Sequence, residues 1–238
     1  MNGSHTIDEG AYGRIIAIGD LHGYSKPLFR LLDEIVPTHN DLLVFIGDYV
    51  DRGPHSREVV QALIDFLKTY PGCRFLKGNH EDMLLGALGF DACVSDITTW
   101  LYNGGGATLR SYGIRFEELM RRGGLPTALR DAMPPSHLDF FSRLPLYFES
   151  ENFFFCHAGV APHVSTAVGK LNEFDLLWMR DHISAEELSY EKTVVCGHTP
   201  LPKVMLKERL ICVDTGLFYY GNLSAVDVLS RKVYVVSR

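Results

Sequence analysis

Three apolar segments near the start of the chain each run into a polar cluster, and this repetition limits the fold more than any bulk property. RIIAIGD (14–20), DLLVFIGD (41–48) and CRFLKGN (73–79) read as buried strands. Between the first two, SKPLFRLLDEIVP sets Leu28, Leu31, Leu32 and Ile35 at helical spacing, with Ser25 as N-cap and Pro37 beyond the end. SREVVQALIDFLKTYPG does the same with Val59, Val60, Leu63, Ile64 and Leu67, and Pro71-Gly72 stops it. The order β-α-β-α-β predicts an α/β protein with parallel strands and crossover helices.

The middle, about 83–145, changes character. EDMLLGALGF and FEELMRRG are helical patches, and NGGGATLRSYG and PPSH interrupt them, so a mostly helical insertion or cap is expected there. Gly104-Gly105-Gly106 reads as a helix-terminating turn, because no P-loop lysine follows it. The last third returns to strands: LPLYFES, NFFFCHAG, KTVVCGHTP, RLICVDTG, NLSAVDVLS and KVYVVSR. The final two flank a Ser-Arg turn and read as an antiparallel meander. Two sheets covered by helices is the packing these pieces suggest. Residues 1–13 are polar and read as a flexible tail, leaving 14–238 as a single domain.

Bulk properties exclude several classes. A formal charge of −6 argues against a general nucleic-acid binder. No run of about 18 apolar residues exists, so no membrane span is expected. The polar start lacks the apolar core of a secretory signal. Five cysteines without a CxxC pair, two of them in the apolar runs FFFC and VVC, fit reduced buried thiols. A cytoplasmic monomer without nucleic-acid or membrane partners is the expectation.

The strand ends carry the chemistry. RIIAIGD continues into Leu-His-Gly, LLVFIGD into Tyr-Val-Asp-Arg-Gly, CRFLKGN into His-Glu, FFFCH into Ala-Gly and VVCGH into Thr-Pro. Open α/β sheets present ligands at the C-terminal ends of their strands. The residues gathered there are Asp20, His22, Asp48, Asn79, His80, His157 and His198. Mixed carboxylate and imidazole donors suit manganese, iron, zinc and related ions rather than calcium. In Asp-x-His the side chains at i and i+2 point the same way in an extended segment, so Asp20 and His22 can grip one ion. Asp48 has two oxygens and can bridge two ions. The other histidines (His5, His39, His55, His137, His163 and His182) lack this context and read as surface or structural.

GDLHG (19–23), GDYVDRG (47–53) and GNHE (78–81), followed by HAG at His157 and GHTP at His198, resemble the signature blocks of the phosphoprotein phosphatase family of calcineurin-like metallophosphoesterases. The closest flavour is the compact bacterial and phage serine/threonine phosphatase. That resemblance implies an αββα sandwich of two mixed sheets and two divalent ions, manganese first, with iron, zinc, nickel or cobalt as alternatives. It implies that one ion takes Asp20, His22 and Asp48, and the other Asp48, Asn79, His157 and His198. It further implies that His80 is the general acid oriented by Asp51, and that Arg52, Asn79 and an arginine between the late histidines, best Arg180, bind phosphate. The implied reaction is direct attack by a hydroxide held between the ions on a phosphoprotein or small phosphoester, with phosphotyrosine as a possible side activity. The alternative is a symmetrical bis(5'-nucleosyl)-tetraphosphatase. Those hydrolases generally look like GNHD and V-A-R-G at the matching places, whereas this chain has Glu81 and Asp51.

Overall fold

A computed structural model describes residues 5–115, 124–165 and 171–238. The first sheet has the order β10-β9-β1-β2-β3, and the second β4-β5-β6-β8-β7. The strands are β1 (Arg14–Ile18), β2 (Asp41–Phe45), β3 (Arg74–Phe75), β4 (Tyr147–Glu149), β5 (Phe153–Cys156), β6 (Thr193–Cys196), β7 (Met205–Leu206), β8 (Leu210–Cys212), β9 (Asn222–Asp227) and β10 (Lys232–Ser237). β1, β2 and β3 run parallel, as do β5, β6 and β8, and antiparallel strands flank each set. β9 and β10 form the expected meander.

Side-chain alternation explains the layering. On β1, Ile16 and Ile18 pack with α1 (Ser25–Ile35) and α2 (Ser56–Thr69), while Ile15 and Ala17 face the second sheet. On β5, β6 and β8, Phe155, Val195 and Ile211 join that inter-sheet core. Their neighbours Phe154, Val194 and Leu210 face the other way, toward Leu176 and Tyr190. Strands buried on both faces read as continuous apolar runs. The result is the mixed α/β sandwich of two helix-flanked sheets. In α1, Tyr24 rather than Ser25 occupies the N-cap, and Val36 ends the helix in the left-handed conformation.

The middle segment is helical where described: α3 (Asn79–Ala87), α4 (Ile97–Trp100), a π-turn (Leu101–Gly105), α5 (Gly106–Ser111), α6 (Leu125–Ala132) and α7 (Pro135–Ser142). The patch FEELMRRG (116–123) lies outside the described residues. Met83, Trp100, Leu109, Leu129 and Phe141 share one core with Phe45 of β2 and Val59 of α2. The described part of this segment packs on the helical layer of the first sheet. The glycine run is a kink between two helical pieces, and the Gly104 carbonyl accepts the Arg52 backbone N–H at 3.3 Å.

Residues 1–4 of the expected loose tail lie outside the described residues, but from His5 the tail is docked. Ile7 N–H donates to the Glu149 carbonyl (2.7 Å), Glu149 N–H donates to the His5 carbonyl (2.8 Å), and Ile7 is buried beside Phe148. The reason is the free edge of β4, which offers unpaired backbone groups. Four cysteines are buried free thiols as expected, while Cys93 is exposed.

Two buried histidines outside the strand-end cluster serve the fold. The Tyr112 hydroxyl lies 2.7 Å from His137 Nδ1, and His137 Nε2 lies 3.1 Å from Gln61 Oε1. His182 Nε2 lies 3.4 Å from Cys196 Sγ. Burial depresses both imidazoles to about 4. Below pH ~6.5 the unfolded chain takes up protons that the folded chain refuses. Stability is thus expected to be full above that pH and to fall toward pH 4, by about 1.4 kcal/mol per pH unit for each histidine. Urea midpoints between pH 7 and 4.5 check this, and His137→Gln should flatten the profile. An unchanged profile would show that His137 is charged in the fold.

Candidate metal centre and phosphate site

The C-terminal ends of β1, β2, β3, β5, β6 and β8 converge on one buried cluster. Asp20, His22, Asp48, Asp51, Asn79, His80, His157 and His198 are each at most 5% exposed. The turns that carry them are tight. His22, Asp48, Asp51, Arg52 and His198 all have positive φ, from 42° to 70°, among only seven such non-glycine residues described. The left-handed region costs most side chains roughly 1–2 kcal/mol, and less for aspartate.

Glu81 ties two of these turns together. Its carboxylate accepts the backbone N–H of Asp48 (2.8 Å), Tyr49 (2.8 Å), Val50 (3.3 Å) and Gly78 (3.0 Å). A Cβ on Gly78 would run into the Asp48 carboxylate, so only glycine lets the turns approach this closely. Glu81→Ala leaves these buried donors without an acceptor, at about 1–3 kcal/mol for each unsatisfied group. A loss of at least ~3 kcal/mol in urea unfolding is expected. A loss below ~1 kcal/mol would mean that water replaces the carboxylate.

The donor chemistry fits metal. His22 Nδ1 lies 3.1 Å from the Val50 carbonyl, and His157 Nδ1 lies 2.9 Å from the Ile46 carbonyl, so each Nδ1 must carry the proton. Burial pushes both imidazoles down, which favours their neutral forms. Their Nε2 lone pairs then face Asp48: His22 at 3.5 Å from Oδ2 and His157 at 3.4 Å from Oδ1. Lone pairs meeting a carboxylate in a buried site call for a cation between them. His198 Nδ1 and His157 Nε2 both approach Asn79 Oδ1, at 3.1 and 3.0 Å.

Two groups of three have donor atoms within 4.8 Å of one another: His22, Asp48 and His80, and Asp48, His157 and His198. Asp48 belongs to both. Burial opposes its charge, but His157, His80, His22 and His198 lower its pKa to the extent that they carry charge, as a bound cation would. Asp20 is in neither group; its carboxylate accepts the His198 N–H at 3.2 Å. Burial, with Asp214 and Asp48 nearby, pushes Asp20 up.

His80 is held from the opposite side. Its Nδ1 lies 2.7 Å from Asp51 Oδ2, and Arg52 Nη2 lies 3.1 Å from its Nε2. Burial disfavours its charged form, but Asp48 and the Asp51 hydrogen bond more than compensate and raise its pKa. Asp51 in turn accepts from Trp100 Nε1 (2.9 Å) and Thr108 Oγ1 (2.6 Å), both from the middle helical segment. Arg180 caps α9 (Asp181–Ser184), just after α8 (Glu173–Trp178), on the exposed rim. Its charge adds to the burial that lowers His157 and His198.

The family model for the calcineurin-like phosphoesterases matches residues 13–231. This chain belongs to that family. As a phosphoesterase it is a hydrolase, and it is 27% identical over 229 residues to serine/threonine-protein phosphatase 1 of Salmonella typhimurium, covering 93% of this chain and 95% of that protein. It is 24% identical over 233 residues to the asymmetrical bis(5'-nucleosyl)-tetraphosphatase PrpE of Bacillus thuringiensis, covering 88% of each. A solved structure of a putative diadenosine tetraphosphatase superposes with a TM-score of 0.69 at 23% identity, covering 98% of this chain and 96% of that one. In this phosphoesterase, sequence reasoning passed over Asp214, Trp100, Thr108 and the Glu81 hub. Asp214 follows β8 as Asp20 follows β1, so the strand-end rule could have found it. It is buried and pushed up to about 6, chiefly by burial.

Proposed function

We propose that this phosphoesterase is a phosphomonoesterase acting on phosphoserine or phosphothreonine in proteins. The observation that carries the reading is the buried His80–Asp51 hydrogen bond beside the Asp48 donor groups. A serine alkoxide leaves poorly unless it is protonated as the P–O bond breaks. His80 would give that proton from Nε2 once the ring is protonated and Arg52, which donates to Nε2 in this structure, has turned to the phosphate, with Asp51 stabilising the imidazolium. Asp20, His22 and Asp48 would hold one divalent ion, and Asp48, Asn79, His157 and His198 a second, with manganese first. Two such ions, when bound, acidify water and neutralise charge on the phosphoryl oxygens. Arg52 and Arg180 hold phosphate oxygens in planar bidentate fashion, and Asn79 lends its amide. Residues 14–238 act as one domain, as a cytoplasmic monomer. Among the described residues no helix is long and apolar enough to cross a membrane.

A second reading is dinucleoside-polyphosphate hydrolysis, favoured by the PrpE relatives, which are named asymmetrical rather than symmetrical. A panel of phosphoserine, phosphothreonine and phosphotyrosine peptides against diadenosine tetraphosphate, with Mn²⁺ added, separates the two. Faster turnover of the dinucleotide than of every peptide would overturn the protein-phosphatase reading.

A further inference from the structure

α2 keeps one stripe of its surface uncovered. Val59, Val60 and Leu63 are buried in the core, while Glu58, Ala62, Asp65 and Thr69 recur at helical spacing on another face. That stripe lines a groove of about 990 Å³ running the length of the helix, from Pro54 to Thr69. Phe29 of α1 and Arg110 of α5 line it too. Its apolar part is Phe29, Ala62 and Phe66, and Phe29 is left 44% exposed.

The end of the groove nearest the phosphate site is cationic. Arg57 and Arg110 are both exposed, and neither guanidinium makes a hydrogen bond or ion pair among the described residues. The Arg57 N–H donates to Ser111 Oγ (2.7 Å), which holds the two arginine backbones side by side. Nearby residues tie this end to the catalytic cluster. Ser56 Oγ and Thr108 Oγ1 lie 3.1 Å apart, and both accept the Asp51 N–H, at 3.2 and 2.9 Å. Thr108 Oγ1 also donates to Asp51 Oδ1 (2.6 Å). The arginines are thus held at a fixed offset from the His80–Asp51 pair. Two unpaired guanidinium groups side by side suit a carboxylate, which each can hold bidentately. Further along the groove the charge reverses. Asp65 is held by Lys68 (2.7 Å) and Gln61 (3.0 Å), but Glu58 is exposed. A second acid there would be repelled, which confines a ligand's carboxylate to the arginine end.

We infer that this groove docks a segment of the phosphoprotein substrate, one that sets a glutamate or aspartate between Arg57 and Arg110 and an apolar side chain on Phe29, Ala62 and Phe66. This rests on the protein-phosphatase reading above and adds to it a rule for choosing among phosphoproteins. Length agrees with an extended segment. The 14 residues of α2 span about 21 Å, the length of roughly six extended residues. Chemistry agrees as well. A free anion would use the arginines and leave the apolar stretch empty, whereas a protein segment uses both.

The test uses the full chain with Mn²⁺ and phosphoserine peptides otherwise built of glycine, serine and one phenylalanine. In these a single glutamate is moved outward, residue by residue, on either side of the phosphoserine. At its best position glutamate should raise kcat/KM by about 3- to 10-fold over glutamine, through KM. Arg57→Gln and Arg110→Gln should each remove most of that gain and leave turnover of p-nitrophenyl phosphate unchanged. No position at which glutamate beats glutamine, or a preference that survives both substitutions, would overturn the inference. The arginine Nε–H NMR signals give a readout that needs no turnover. The unphosphorylated glutamate peptide should shift the signals of Arg57 and Arg110, assigned from the two variants, and the glutamine peptide should not. No shift with either peptide would overturn the groove. Shifts with inorganic phosphate or diadenosine tetraphosphate alone would overturn it in favour of a small-anion site. If no peptide is hydrolysed, the protein-phosphatase reading falls, while the arginine signals still judge the groove.

Discussion

His80→Asn is expected to slow hydrolysis of phosphoserine peptides by about 10²–10⁴-fold, the usual worth of general acid–base help. The fall on p-nitrophenyl phosphate should be much smaller, because that leaving group departs without a proton. Metal content should stay at the unaltered level. The geometry makes this a sharp test. His80 Nε2 is 3.9 Å from Asp48 Oδ2, and His80 shares a donor group with His22 and Asp48, so proximity alone would allow it to be a ligand. What argues for the acid is the Asp51 carboxylate at 2.7 Å behind its Nδ1. Loss of an ion in His80→Asn, read by elemental analysis, would make His80 a ligand and leave the acid unassigned.

Asp48→Asn should remove activity by weakening both sites at once. Asp48 is the carboxylate that both donor groups share. Removing its charge is expected to cost each site more than about 10²-fold in affinity, since even partners outside the ligand shell are worth 10- to 100-fold. Thermal unfolding gives a readout independent of turnover. An ion at 100 times its dissociation constant adds about 2.7 kcal/mol to the folded state. Mn²⁺ should therefore raise the melting temperature of the unaltered chain and leave that of Asp48→Asn unmoved. Two ions retained in the variant would rule out Asp48 as the bridge.

The strand-end residues were legible because each lies within a few positions of an apolar run whose end is visible in the sequence. Asp20, Asp48, His80 and His198 could be gathered from period and punctuation alone. Their supports could not. Asp51 is held by Trp100 and Thr108, which are 49 and 57 positions away in a segment that reads only as helical. Glu81 lies in the first turn of α3, where an acid suits the helix dipole, but its grip on the Asp48 turn depends on two loops meeting in space. The docking of Ile7 on β4 was hidden for the same reason: an edge becomes a partner only once the sheet exists. β7 is too short at two residues to leave a period.

The left-handed turns that carry His22, Asp48, Asp51, Arg52 and His198 bear on how such a chain changes over generations. Glycine or asparagine would sit more comfortably at each of them. A population screened only for heat tolerance should therefore drift toward those residues, gaining stability as it loses turnover. A histidine, aspartate or arginine kept there, against the preference of its own backbone, is a record that the side chain is still in use.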